Sequence, residues 1–183
     1  GSSGIQVIPQ LARVASQLTV FQRTPNFAVP SNNRVMSDEE FSASIATLPE
    51  NREAARHSPL GFFSAVRPGQ AKEAGEQDRT QRFEEQWQAG TTGMLLAYED
   101  LLFDEDSNAY VSAFVRDKIA SIVQDPDKVR KMLPDYPLGS RRMCSEIDFY
   151  TTMAQPSVTL VDVREDPVMT ITADGIQTAS GSY

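Results

Sequence analysis

The sequence predicts an α/β fold in which a βαβ-type unit is interrupted by an all-helical insert. Three observations carry that expectation. The chain opens on a Gly-x-x-Gly, then shows helical periodicity, then a short apolar run, in "GSSGIQVIPQLARVASQLTVFQ". Residues 37–133 read as helix, polar on alternating faces and rich in Glu, Gln and Ala. From residue 141 the pattern returns to a helix followed by short strands. Pro, Asn, Gly and Ser cluster at "VPSNNRVMS" and "PDYPLGS", as they do in connections. They divide the chain into residues 1–34, 35–136 and 137–183.

Composition sets the bounds. A length of 183 residues suits one domain carrying an insertion. Apolar residues at 40% and charged residues at 23% are those of an ordinary soluble protein. No apolar run approaches the roughly 18–20 residues of a membrane span. The net charge of −8 argues against a general nucleic-acid surface, which needs clustered Lys and Arg. The single cysteine, Cys144, cannot form an internal disulfide and points to a reducing, cytoplasmic compartment.

In the first element, Ile5, Val7, Ile8, Leu11, Ala12, Val14 and Ala15 recur at helical spacing. Pro9 is tolerable if it lies near the first turn, where a missing N–H costs less. Residues 18–22, "LTVFQ", form the strand that follows. Glycine loop, helix and strand in this order are the later part of a Rossmann-like dinucleotide-binding unit. In its G-x-G-x-x-G loop the second glycine lets the backbone approach the pyrophosphate, and the third lets helix and strand pack closely. Gly1 and Gly4 would fill those two places, with the helix N-terminus facing the phosphates. The competing reading of "GSSG" is a flexible artificial leader without function.

The second strand bears on the choice. An acidic residue about 20 positions past the loop would accept a hydrogen bond from a ribose 2′-hydroxyl. Here the strand ends in "FQRTP", with no acid and with Arg23 and Thr24 in its place. A cation and a hydroxyl suit a 2′-phosphate, hence NADPH rather than NADH. The bland alternative is that Arg23 begins a solvated loop.

These residues resemble a known family. "GSSGIQVIPQLA…LTVFQRTPNFAVP", then "YPLGSRRMCSEIDFY" and "VTLVDVREDPVMTITADGIQT", are similar in order and separation to the NADPH-binding part of Baeyer–Villiger monooxygenases. The resemblance covers both α/β parts, with the insert between them. It implies an FAD- and NADPH-dependent enzyme that uses molecular oxygen to place an oxygen atom beside a ketone carbonyl. It also identifies "GSSG" as the back of a dinucleotide loop, assigning Gly1, Ser2, Ser3, Gly4, Ile5 and Gln6 to the cofactor. The family's FAD loop, its F-x-G-x-x-x-H-x-x-x-W-P fingerprint and its A-T-G segment are not in these residues. The resemblance places them in the rest of a parent chain, whose FAD domain would be needed for flavin binding and turnover.

"GSRR", residues 139–142, is the second site. Pro137 and Gly139 mark a turn, and adjacent side chains point in different directions, so the two arginines can serve two ligands. The resemblance implies that Arg141, often Lys in the family, joins Arg23 and Thr24 at the 2′-phosphate. It implies that Arg142 borders the cofactor too and is the catalytic arginine, stabilising negative charge that develops on oxygen. Without the resemblance the pair reads as an exposed loop feature. Two other functions stay open: a related flavin monooxygenase acting on nitrogen or sulfur, and a non-catalytic NADP-binding module.

The remaining elements read as scaffold. Ser37 and Glu40 form a capping-box pattern ahead of Phe41 and Ile45. Phe83, Trp87, Met94, Leu95, Tyr98 and Leu101 fall at core spacing, as do Phe114, Ile119 and Ile122. "DEDSN", residues 104–108, starts like a calcium loop, but Ala109 replaces the needed Gly, so a helix connection is expected. His57 reads as a solvated residue near a helix end. One His and one Cys cannot make a His–Cys metal cluster. Cys144 reads as a buried thiol. "SEIDFYTTM" reads as helix, "VTLVDV" and "VMTIT" as strands, and Asp174–Gly175 as a turn into a last strand.

Overall fold

A computed structural model describes residues 1–58, 61 and 66–183. It is a mixed α/β arrangement of helices and three two-stranded sheets. Helix α1, Ser2–Ala12, buries Ile5 and Pro9 one turn apart. It starts earlier than the periodicity suggests, so Ser2, Ser3 and Gly4 lie in its first turn and not in a preceding loop. Pro9 therefore sits in the helix interior, where its ring is buried in the core. The helix stops at Ala12, and Val14 is exposed.

Strand β1, Leu18–Gln22, runs parallel to β4, Val158–Asp162, in register Leu18 with Val158 through Gln22 with Asp162. Two three-residue strands, β2 (Ala28–Pro30) and β3 (Cys144–Glu146), also pair in parallel. The helix expected over "SEIDFYTTM" is thus shorter. Cys144–Glu146 is strand, and only Phe149–Met153 is helix, as α7. The hydrogen bonds offered by Ala28–Pro30 outweigh local helical preference. Asp148, at φ 59°, makes the left-handed turn between the two, and the Glu146 carboxylate accepts from the Phe149 amide at 2.8 Å. Strands β5 (Val168–Thr172) and β6 (Gly175–Thr178) form an antiparallel hairpin in which β5 is exposed and β6 is half-buried.

Among the described residues between β2 and β3 the regular elements are helical: α2 (Asp38–Ala46), α3 (Leu48–His57), α4 (Glu76–Ala89), a 3₁₀ turn at Thr91–Leu96, α5 (Glu105–Val123) and α6 (Pro126–Met132). The Ser37–Glu40 capping box is present, and Arg34 reaches the same carboxylate. Phe41 and Ile45 are exposed, because α2 and α3 bury no residue. Asp104 of the calcium-like "DEDSN" is the N-cap of α5, accepting from the Ser107 amide at 3.0 Å and from Lys72 Nζ at 3.0 Å.

Phe83, Trp87, Met94, Tyr98, Leu101 and Ile119 are buried, with Leu95, Phe114 and Ile122 packed against them. The same core continues through Val115 and Leu138 to Phe27, Val29, Tyr150, Met153 and Val158. Helical and sheet regions therefore share one apolar interior. Among the described residues no helix is long and apolar enough to cross a membrane.

Candidate functional site

The first turn of α1 and the end of β1 border one cleft. Gly1 is the N-cap of α1 and supplies no side chain, so nothing from it occupies the first-turn amides. These donors carry the positive end of the helix dipole. A Cβ added at Gly1 or Gly4 would meet nothing within 4 Å. Close helix–strand packing at Gly4, expected from the loop pattern, is therefore not made by the described residues. Glycine leaves the backbone open to an approaching ligand instead.

The cleft is about 350 Å³, lined by Gly1, Gly4, Ile5, Ile8, Val20, Phe21, Gln22, Arg23, Thr24, Pro25, Asn26, Met132, Arg141, Phe149 and Tyr150. Two distant stretches of sequence thus meet, with Arg23 and Thr24 following β1 and Arg141 preceding β3. The floor is apolar and the rim cationic. Ser2, Ser3 and Gln6 lie on α1 outside the lining, with exposed side chains. Arg142 is also exposed and outside it. Of the adjacent arginines, Arg141 lines the cleft and Arg142 does not.

The chain is acidic, with 25 carboxylates against 17 Lys and Arg. Six of its arginines are ion-paired: Arg13 with Asp148, Arg34 with Glu40, Arg56 with Glu53, Arg67 with Glu85, Arg130 with Glu165, Arg164 with Asp162. Among the described residues, Arg23, Arg141 and Arg142 show neither ion pair nor side-chain hydrogen bond, a state shared with Arg52 of α3, and of these four Arg23 and Arg141 line the cleft. Arg141 lies over the Tyr136 ring, 4.8 Å from its centroid. Two cations beside open helix amides make a site for an anion with several oxygens.

Sequence reasoning missed the residues that hold these arms together. Asn26 Nδ2 donates to the Arg142 carbonyl at 3.1 Å and approaches Cys144 Sγ at 3.1 Å. The Tyr136 hydroxyl lies 2.8 Å from the Pro25 carbonyl and 2.7 Å from Asn26 Oδ1. Burial raises the Tyr136 pKa, partly opposed by Arg141, so the phenol keeps its proton. Beneath them Tyr150, fully buried, accepts from the Ala28 amide at 3.1 Å. The only signal for Asn26 was its place in the turn-like "TPN".

On the other side, Asn108 holds the backbone of Leu138 from both ends. Nδ2 donates to the Leu138 carbonyl at 2.8 Å and Oδ1 accepts from its amide at 3.1 Å. The tight turn that follows has Gly139 at φ 91°, with Leu102 and Leu95 where a Cβ would be. Arg141 and Arg142 leave from this clamped turn.

His57 ends α3 and lies 2.9 Å from Glu53, exposed. Cys144 is buried. Among the described residues no group of His, Cys, Asp and Glu could hold a metal ion.

No protein-family model matches the chain. Individual proteins do, along its whole length. It is 40% identical to a cyclopentanone 1,2-monooxygenase of a Comamonas strain, with 99% of this chain and 34% of that protein aligned. It is 35% identical to a 2-oxo-Δ3-4,5,5-trimethylcyclopentenylacetyl-CoA monooxygenase of Pseudomonas putida (100% and 34%). It is 32% identical to the phenazine N-monooxygenase PhzNO1 of Lysobacter antibioticus (99% and 34%). Among solved structures, a steroid monooxygenase bound to NADP superposes with TM-score 0.95 at 34% identity (100% and 35%). OTEMO in complex with FAD and NADP superposes with TM-score 0.96 at 35% identity (100% and 34%). The chain thus spans about a third of the length of the curated relatives it matches.

Proposed function

We infer that this chain, which belongs to the Baeyer–Villiger monooxygenase family along its whole length, is the NADPH-holding part of an FAD-dependent enzyme that oxygenates ketones to esters or lactones. The observation that carries this reading is the cleft where Arg23, Thr24 and Arg141 meet the open N-terminus of α1. In this reading residues 1–34 and 137–183 form a Rossmann-like domain and residues 35–136 its helical insert. The named monooxygenases and the NADP- and FAD-bound structures above support the same assignment.

The residues present fit NADPH. The amides of Ser2, Ser3 and Gly4, in the first turn of α1, would hold the pyrophosphate, and Ile5 and Gln6 continue that turn. Arg23, Thr24 and Arg141, which line one cleft, would hold the 2′-phosphate. A guanidinium offers paired donors to phosphate oxygens, and Thr24 adds a hydroxyl. The apolar floor from Ile5, Ile8 and Val20 excludes water from one side of the ligand. Arg142, outside that lining, would offer its charge to oxyanion character on the substrate carbonyl. When bound, the nicotinamide would supply hydride and the flavin the oxygen chemistry, with the ketone-binding and FAD-binding residues in the rest of the parent enzyme.

The phenazine N-monooxygenase among the relatives favours one second reading, oxidation of nitrogen through the same cofactor half. One experiment addresses both. This segment replaces its counterpart in the Comamonas cyclopentanone monooxygenase, and the purified flavoprotein is assayed with NADPH, NADH, cyclic ketones and phenazines. NADPH preference with lactone formation is expected. A chimera that holds FAD but uses the two nicotinamides equally refutes the cofactor assignment. A chimera that holds FAD and oxidises NADPH but forms no lactone refutes the ketone assignment for this segment.

A further inference from the structure

Tyr136 sits where the helices return to the α/β part, and it touches both arms of the cleft. Its ring lies 4.8 Å beneath the Arg141 guanidinium. Its hydroxyl meets the Pro25 carbonyl and Asn26 Oδ1, in the loop directly after Arg23 and Thr24. The ring is steadied edge-on by Phe27, 5.6 Å between centroids at 85°. Tyr136 does not itself line the cleft. Whatever it does to a ligand passes through Arg141 and the loop.

A carboxylate could also hold Arg141 in place, but it would cancel the charge and occupy the donors. An aromatic face orients a guanidinium while leaving its in-plane N–H groups free. An arginine on an exposed turn otherwise samples many rotamers, and that freedom is lost on binding. The hydroxyl contact ties the ring, and with it Arg141, to the loop that carries the other cation.

We propose that Tyr136 is a positioning residue for cofactor choice, holding Arg141 at a fixed spacing from Arg23 and Thr24 so that both cations meet the 2′-phosphate. The proposal deepens the NADPH reading above and rests on it. It predicts an effect on discrimination between NADPH and NADH, which a purely structural role would not single out.

The test uses the complete flavoenzyme carrying this segment and reads the ratio of kcat/KM for NADPH to that for NADH. Arg141→Ala is expected to lower the ratio about 10-fold or more. Tyr136→Leu, which removes ring and hydroxyl, is expected to lower it about 3- to 30-fold. Tyr136→Phe, which keeps the ring, is expected to lower it about 2- to 5-fold, and it decides the matter if the leucine variant loses its flavin. In the Arg141→Ala background either Tyr136 substitution should change the ratio less than about 2-fold, because the path through Arg141 is gone. The proposal is overturned if Arg141→Ala lowers the ratio while the Tyr136 variants leave it unchanged. It is overturned too if they act equally in both backgrounds. If Arg141→Ala itself leaves the ratio unchanged, the NADPH reading falls and takes the proposal with it.

Discussion

Asn108→Ala removes four hydrogen bonds from a side chain with no unused capacity. Nδ2 donates to the carbonyls of Leu101 and Leu138, 2.8 Å each. Oδ1 accepts from Ser112 Oγ at 2.8 Å and from the Leu138 amide at 3.1 Å. That amide also reaches Ser112 Oγ at 3.0 Å, so it survives the truncation. The loss falls on two buried carbonyls. Each costs about 1–3 kcal/mol when left unsatisfied, so the expected penalty is about 2–6 kcal/mol. Even the lower figure accelerates local hydrogen exchange about 30-fold if the turn opens on its own. The assay is exchange read by mass spectrometry on peptides spanning residues 98–112 and 134–144, with α1 as internal reference, in the complete flavoenzyme. Asn108→Asp is expected to be at least as damaging as Ala, since it sets a carboxylate oxygen against two carbonyls. Exchange of the 134–144 peptide within about 3-fold of the unsubstituted protein, for both variants, would refute the view that Asn108 clamps the arginine turn.

Arg23→Ala should weaken NADPH binding about 10- to 150-fold and NADH binding far less, as loss of a charge-assisted phosphate contact demands, and equal losses in titrations with both cofactors would count against it. Arg142→Ala should leave NADPH oxidation in place while ester or lactone formation drops about 10²-fold or more, seen by stopped-flow and product analysis on one preparation. Near-normal ester yield would return Arg142 to the surface. Burial pushes the Glu146 carboxyl above its ordinary 4.5, so the folded chain holds that proton more tightly than the unfolded one. The stability this contributes is complete below the ordinary value and is lost as pH rises through the raised one. Glu146→Gln should flatten that part of the stability–pH curve, and an unchanged slope in melts above pH 4.5 would contradict it.

Much of the architecture was legible because it is local. The α1 periodicity, the β-type run 18–22, the capping box at Ser37 and the core positions from Phe83 to Leu101 each announce themselves within a few residues. What was not legible is long in sequence and short in space. Cys144–Glu146 became strand only because Ala28–Pro30, more than 100 residues earlier, offers a partner. Neither three-residue strand is long enough to display a period. The same holds at the site. "QRT" and "GSRR" could be singled out by chemical type, but the clasp of Asn26 and Tyr136 spans 110 residues and leaves no mark on composition. The start of α1 was misplaced by a few residues because an open glycine segment reads as loop until its amides are seen in a helix.

The parallel pairing of β1 with β4 has a consequence for the order of assembly. Leu18 finds Val158 only after everything between them has been synthesised. Closing a loop that long costs roughly 2 kcal/mol more entropy than closing one of ten residues, and nothing is recovered until the strands meet. Helices α4 to α6, held by near-neighbour contacts, can collapse first and shorten the effective tether. The sheet edge of β1 therefore spends that interval without its partner, and this is the stage at which the nascent chain is most exposed to aggregation and most dependent on chaperones.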